Sequence, residues 1–267
     1  MMPMWKKELS PRLAAVAAMV PPGVPMADVG TDHAHLPIAL VKWDHTPWAV
    51  ATDVREGPCR RAQQAVHAAG LSHRIDVRLG DGLKALEQGE VHTVVMAGMG
   101  GVLMDELLRA DPEKTRSFQR LVLQPNMASH RLRTTLLGQQ WKLLDEQLVF
   151  DEGYVYEILT YEPGSDDAYA AAAETLARQR ELAFIKDDWF LLYLLGPRLL
   201  QKAWEAPDDG TRQLLLMRME EAAEKRRRIL AGLKRARHTA ERQKIGPLTN
   251  QLAQLEVLAQ CMRTGKP

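Results

Sequence analysis

Three aspartates and a glycine carry the first chemical signal in this sequence. Asp28 and Gly30 stand in Ala27-Asp28-Val29-Gly30-Thr31-Asp32-His33-Ala34, Asp53 follows 25 residues after Asp28, and Asp81 opens Asp81-Gly82. Asp28 interrupts and Gly30 closes one short apolar run of the kind that forms a strand, Asp53 ends a second, and Asp81 follows a third. A glycine at such a turn lets the backbone approach a ligand closely. A carboxylate after the second strand can accept hydrogen bonds from both hydroxyls of a ribose, and one after the third can take the amino group of an adenine. Carboxylate, glycine turn, carboxylate, carboxylate is therefore the order expected of an adenosine site.

The rest of that ligand follows from what is missing. A dinucleotide fold needs G-x-G-x-x-G, but the two positions after Gly30 that should be glycine hold Asp32 and His35. Without a pyrophosphate cradle, and with Asp28 and Asp32 ready to repel phosphate, the turn suits a cationic adenosine compound such as S-adenosylmethionine better than NAD. His33 and His35 have no cysteine or third ligand at zinc spacing, so no metal is expected. Gly98-Met99-Gly100-Gly101 either touches cofactor or substrate, or is simply a tight entry into a helix.

The elements that must position these groups alternate in type. Ser10-Pro11 starts a helix that Pro21-Pro22-Gly23 ends. Strands are expected at Met26 to Val29, Trp48 to Thr52, Ile75 to Leu79, Thr93 to Ala97 and Leu121 to Leu123. Helices are expected at Leu36 to Trp43, Glu56 to Ala69 and Val102 to Arg109. Strands separated by helices of this length form a parallel sheet covered on both faces, because parallel neighbours need long crossovers. Leu143 to Phe150 and Tyr154 to Tyr161, joined by Asp151-Glu152-Gly153, break that rhythm as a hairpin and add antiparallel strands.

Pro163 to Asp167 concentrates turn formers and divides the chain into an α/β domain at 1–163 and a helical domain at 164–267. Ala168 to Leu195, Thr211 to Lys244 and Leu248 to Met262 read as three helices in an antiparallel bundle or coiled coil. Breaks are expected at Gly196-Pro197, Pro207 to Gly210 and Gly246-Pro247. Charge separates the two parts. The first 164 residues carry 17 Lys/Arg against 20 Asp/Glu and the remainder 18 against 14, although the net charge of the 267 residues is only +1. Lys225, Arg226, Arg227, Arg228, Lys234, Arg235, Arg237, Arg242 and Lys244 lie in a span with few acids. They are either a solvated helix face or a surface for nucleic-acid phosphates.

Composition excludes whole classes. With 46% hydrophobic and 26% charged residues the chain is neither disordered nor fibrous. Trp189 to Leu195, its densest apolar run, is too short to span a membrane, and no signal peptide is evident, so a cytoplasmic protein is expected. Two cysteines, Cys59 and Cys261, are too few for a disulfide framework.

Six motifs in order resemble the bacterial tRNA (adenine-22-N1)-methyltransferase family, often called TrmK. They are Ala-Asp-Val-Gly-Thr-Asp-His-Ala-His-Leu-Pro (27 to 37), Glu-Gly-Pro (56 to 58), Gly-Asp-Gly-Leu (80 to 83), Ala-Gly-Met-Gly-Gly (97 to 101), Leu-Gln-Pro-Asn (123 to 126) and Tyr-Glu-Ile-Leu (156 to 159). The resemblance implies a class I (Rossmann-like) sheet of seven strands with helices on both faces, a C-terminal coiled-coil domain that helps hold tRNA, and S-adenosylmethionine as methyl donor. It would direct Gly30, Thr31, Asp32 and His33 to the methionine end of that cofactor, Asp53 to the ribose, and Asp81 with Gly82 to the adenine. Ala97 and Gly98 would form the floor. A monomer acting on tRNA through Arg226, Arg227, Arg228, Lys234, Arg235 and Arg237 is the corresponding expectation for the tail.

Methylation at N1 of adenine is an in-line displacement at which a lone pair attacks directly, so positioning does most of the work. The product cation relaxes by losing an N6 proton. Asp32 and Asn126 are the groups expected to meet that charge, against the plainer roles of ordering the loop and capping a helix. A methyltransferase for a small molecule or protein, or a non-catalytic RNA-binding protein on the same fold, are the competing readings.

Overall fold

Every residue of β1 (Met26–Val29) is buried, as a strand with neighbours on both sides and helices on both faces requires. The computed structural model describes residues 7–165, 167–206, 210–235 and 243–264. The chain divides into two compact units, Met1–Asp166 and Asp167–Pro267.

In the first unit β1 lies between β2 (Ala49–Asp53) and β4 (Thr93–Gly100). β3 (Ile75–Leu79) pairs with β2, and β5 (Arg120–Met127) with β4, all in parallel. β7 (Tyr154–Pro163) adds antiparallel to β5, and β6 (Trp141–Asp151) to β7, giving seven strands in the order β3-β2-β1-β4-β5-β7-β6. The strand order reverses between β1 and β4. The crevice beyond the carboxyl ends of those two strands is where an open α/β sheet binds its ligand.

Helices α1 (Pro11–Met19), α2 (His35–Lys42), α3 (Glu56–Ala68), α4 (Gly101–Ala110), α5 (Pro112–Ser117) and α6 (Ser129–Gly138) accompany this sheet. The start of α1 is as expected: Ser10 Oγ accepts from Leu13 N–H at 3.3 Å, with Pro11 at the first helical position. Two clusters of buried aliphatics, around Val16, Leu40 and Val95 and around Val94, Leu121 and Leu132, form the core. The hairpin between β6 and β7 turns through Glu152 and Gly153, both at positive φ (48° and 86°), which matches the twist of the strands it joins. α6 is locked to that hairpin by a buried triad. Arg133 donates to Glu146 at 2.7 Å, to Glu157 at 2.9 Å and to Ser129 at 3.1 Å.

Two strands run further than the sequence suggests. β4 continues through Gly100 and β5 through Met127, so Gln124-Pro125-Asn126 lies inside a strand and not after it. Pro125 is tolerated because it sits opposite Met99 at a register irregularity, where the regular ladder is already interrupted.

The second unit is helical but more broken than three long helices. α7 (Ala168–Leu176), a 3₁₀ segment (Arg180–Lys186) and α8 (Phe190–Leu195) replace the first of them, and α9 (Pro197–Glu205) follows the expected break at Gly196-Pro197 as a further helix. Asp188 diverts the chain by accepting the Phe190 N–H at 3.0 Å, and Gly196 at φ 97° separates α8 from α9. α10 (Thr211–Leu233) and α11 (Ile245–Thr264) are the long pair. Arg226 facing Gln251, Arg227 facing Glu256 and Glu220 facing Arg263 set them antiparallel. Gly246-Pro247 does not interrupt α11. Both residues fall in its first turn, where the missing proline N–H needs no partner. No helix among the described residues is long and apolar enough to cross a membrane.

Candidate functional site

The turn after β1 is built to hold its backbone still. Gly30 and Thr31 both donate N–H to the Thr52 carbonyl at 2.8 Å, tying the turn to β2, and Thr31 Oγ1 accepts from Ala34 N–H at 3.1 Å. Gly30 has φ 83°, and a Cβ there would overlap the terminal methyl of Met99 from β4. The positive φ is what favours glycine, since the Met99 methyl is the far end of a flexible side chain and could move aside. The turn ends at Ala34, left-handed at φ 53°, from which α2 begins.

Asp28, Asp53 and Asp81 come to the carboxyl ends of the first three strands, as their spacing required. Asp28 is 7% exposed, and burial pushes its carboxyl up to about 6, with the charge of Asp53 adding and a Thr31 hydrogen bond opposing. Asp53 is 5% exposed and accepts the Arg55 N–H at 2.8 Å. Asp81, exposed, pairs with Lys84 at 2.6 Å, and Gly82 follows at φ 56° against Leu107. Two buried carboxylates beside a glycine turn favour a ligand that brings positive charge. The orphaned Thr52 hydroxyl, buried without a partner, lies on β2 one residue before Asp53. These donors and acceptors fit the adenosine, ribose and cationic amino-acid portions of S-adenosylmethionine and offer nothing to a diphosphate.

Asp32 has surroundings unlike those of a general base. Arg61 of α3 pairs with its carboxylate and His33 Nε2 lies 3.4 Å away. The Arg61 guanidinium foremost, opposed by slight burial and helped by His33, holds that carboxyl below the usual range. A carboxylate so paired resists taking a proton. His33 stacks on His35, ring centres 5.3 Å apart. Among the described residues no group of three His, Cys, Asp or Glu side chains could hold a metal.

Across the crevice, the ends of β4 and β5 are joined by side chains. Asn126 Nδ2 donates to the Gly98 carbonyl at 2.8 Å, Gln124 Oε1 accepts from Gly98 N–H at 3.0 Å, and Gln124 Nε2 donates to Asn126 Oδ1 at 3.2 Å. Arg12 of α1 completes the group, donating to Gln124 Oε1 at 2.6 Å while its guanidinium carbon lies 5.4 Å from the centre of the Tyr156 ring. Ala97 and Gly98 are thereby placed at the end of β4 beside Asn126. Asn126 does not cap α6, whose preceding residue is the left-handed Ala128. Gly101 opens α4 where a Cβ would lie 2.7 Å from the Met127 and Ala128 carbonyls, so the last glycine of the Gly98 to Gly101 run is needed for close approach. Sequence reasoning missed Arg12, Arg61 and Gln124. The only signal was Gln124, a polar residue after the apolar Leu121 to Leu123.

The tail residues separate by environment. Arg226 is half-buried, its guanidinium carbon 4.9 Å from the Phe190 ring centre. Burial lowers its pKa. Arg227 is ringed by Glu220 and Glu256 at 2.9 Å and Glu224 at 3.5 Å. Arg228 is exposed, its nearest acid Glu224 at 3.8 Å, and Lys234 and Arg235 are exposed in the turn after α10. Arg237 lies outside the described residues.

A family model described as a methyltransferase domain matches residues 9–159. The tRNA (adenine(22)-N(1))-methyltransferase of Bacillus subtilis strain 168 is 39% identical over 161 residues, which are 60% of this chain and 68% of that protein. The chain belongs to the tRNA (adenine(22)-N(1))-methyltransferase family. The crystal structure of the B. subtilis m1A22 tRNA methyltransferase TrmK superposes with a TM-score of 0.79 at 30% identity, over 94% of this chain and 98% of TrmK. A putative tRNA (m1A22) methyltransferase of Streptococcus pneumoniae in complex with S-adenosyl-L-methionine superposes with a TM-score of 0.73 at 29% identity, over 94% and 99% of the two chains. Both superpositions take in the helical unit as well as the sheet, so the family likeness extends to the tail, where the sequence motifs end.

Proposed function

We propose that this protein transfers a methyl group from S-adenosyl-L-methionine to N1 of adenine 22 in tRNA. The observation that carries the reading is the likeness of nearly the whole chain, both units included, to the B. subtilis enzyme of that activity. The second unit fits a tRNA substrate better than a small molecule, because it holds Arg228, Lys234 and Arg235 exposed to solvent.

Bound S-adenosyl-L-methionine supplies an electrophilic methyl group on a sulfonium. Asp28, Gly30, Thr31, Asp32 and His33 hold its amino-acid end, with ionised Asp28 answering the positive charge. Asp53 binds the ribose hydroxyls, Asp81 and Gly82 the adenine, and Ala97 and Gly98 line the floor. Asp32, tied to Arg61, orders the turn and contributes negative potential. Asn126, at the exposed end of β5, offers a carbonyl lone pair to the N6 amino group of the target base and so favours the charge that develops there. Water accepts the N6 proton afterwards. Positioning supplies most of the acceleration, since N1 needs no activation.

The working division is a catalytic domain at 1–163 and a tRNA-binding helical domain at 164–267. In the latter Arg228, Lys234 and Arg235 take phosphates, and Arg226 and Arg227 hold the helices together. The protein acts in the cytoplasm as a monomer. Labelled methyl transfer to an unmodified tRNA transcript, followed by nucleoside analysis, tests the reading: label in 1-methyladenosine at position 22 supports it, and label elsewhere or none refutes it.

A further inference from the structure

The four groups that meet at Gly98 leave no freedom in their hydrogen-bond directions. An arginine guanidinium and a backbone N–H can only donate, and a backbone carbonyl can only accept. Arg12 Nη1 at 2.6 Å and Gly98 N at 3.0 Å both approach the same atom of the Gln124 amide, which must therefore be its oxygen. The Gln124 nitrogen is then turned to Asn126 at 3.2 Å, and the atom it meets must be the Asn126 oxygen. That leaves the Asn126 nitrogen facing the Gly98 carbonyl at 2.8 Å, again the only arrangement that bonds. The same assignment is reached from either end. Side-chain amides ordinarily turn over at little cost, but here both are fixed.

Gln124 is fully buried on a strand whose preceding residues, Leu121 to Leu123, are all apolar. A buried amide in such a place is costly unless its partners are made. Asn126, by contrast, is exposed and keeps one N–H and one oxygen lone pair for a ligand.

We infer that Gln124 is a positioning residue for methyl transfer: held by Arg12 and Gly98, it fixes which end of the Asn126 amide is oxygen, so that the remaining oxygen lone pair keeps one set place for the N6 amino group of the target base. This rests on the methyltransferase reading above. An N6 amino group donates, so a reversed Asn126 would present it with a donor and lose the base in its reacting orientation.

Gln124→Glu tests the relay, since a carboxylate still accepts from Arg12 and Gly98 but cannot donate to Asn126. Asn126 and Asn250 are the only asparagines in the sequence. Protein labelled with ¹⁵N-asparagine therefore shows two side-chain amide pairs, and Asn126→Ala assigns them. The expected result is a displaced Asn126 pair with Asn250 unmoved, S-adenosylhomocysteine affinity unchanged, and kcat at saturating tRNA lowered about tenfold or more. In the Asn126→Ala background Gln124→Glu should cost less than about twofold further, because its effect passes through a residue already removed. An unmoved Asn126 pair, or a Gln124→Glu penalty that multiplies in full onto Asn126→Ala, would overturn the proposal. If Gln124→Glu does not fold, Gln124→Met removes the same donor at similar volume and is judged by the same measurements. Wild-type protein that labels no tRNA would refute the methyltransferase reading, while the resonance comparison would still decide the relay.

Discussion

Asn126 reaches from β5 to the carbonyl of Gly98 on β4, 2.8 Å away, at the carboxyl end of the sheet where the turn after β1 also lies. Because Asn126 is exposed and does not cap α6, its side chain is available to the target base. Asn126→Ala should lower kcat by about a hundredfold with little change in cofactor affinity, the scale of removing one preorganised polar group at a reacting centre. Steady-state kinetics at saturating tRNA check this. A kcat near that of the wild type would remove Asn126 from the mechanism.

Asp32 should behave differently. Its pairing with Arg61 and its lowered pKa make it a fixed charge and not a proton acceptor. Asp32→Asn is expected to weaken S-adenosyl-L-methionine binding several-fold and to leave the pH dependence of kcat unaltered. A pH dependence of kcat present in the wild type and lost in that variant would instead make Asp32 a proton acceptor.

Asp28 predicts how cofactor affinity varies with pH. Burial keeps its carboxyl neutral up to about pH 6, so the stability this group contributes is complete below its unfolded pKa and is lost as pH rises through about 6. A cationic ligand reverses that preference by favouring the ionised form. Affinity for S-adenosyl-L-methionine should therefore rise between about pH 5 and about pH 7, and Asp28→Asn should flatten the rise. Calorimetric titration across that range measures both. Equal slopes in wild type and variant would mean that Asp28 does not meet the cofactor's charge.

The basic run of the tail should divide in two. Reversing Arg228, Lys234 and Arg235 to Glu should weaken tRNA binding and reduce the salt slope by about one for each phosphate no longer neutralised. Arg226→Ala, which takes the guanidinium away from Phe190, should lower the stability of the helical unit and leave the slope unchanged. Binding measured at several salt concentrations distinguishes them, and an unchanged slope in the triple variant would exclude these residues from binding phosphate.

Arg133→Met strands Glu146 and Glu157 in the interior, and breaking a buried ion pair from one side costs roughly 3–5 kcal/mol. Denaturant unfolding should show a loss of that size. A change below about 1 kcal/mol would mean that the triad is not holding α6 to the hairpin.

The groups at the strand ends were legible in the sequence because they follow one another along the chain: Asp28, Gly30, Asp53 and Asp81 can be placed by periodicity and spacing. The partners of Asp32 and Gln124 were not, because they come from segments far apart in the chain. Arg12 meets Gln124 across 112 residues, and Arg61 meets Asp32 across 29. The same limit explains the tail. Glu256 neutralises Arg227 from the facing helix, and no count of charges within the basic run could find it. The chain break at Asp188 depends on one side-chain hydrogen bond, which leaves the helical composition of the segment undisturbed, whereas the break at Gly196-Pro197 was visible in the sequence. The apolar runs alone point to the five parallel strands and the hairpin, and their pairing order is visible only in the structure.

The decisive measurement is incubation of the full chain with labelled S-adenosyl-L-methionine and an unmodified tRNA transcript, followed by mapping of the modified nucleoside. Label is expected in 1-methyladenosine at position 22, reduced strongly by Asn126→Ala. Label in another nucleoside, or none while the cofactor still binds, would contradict the assignment.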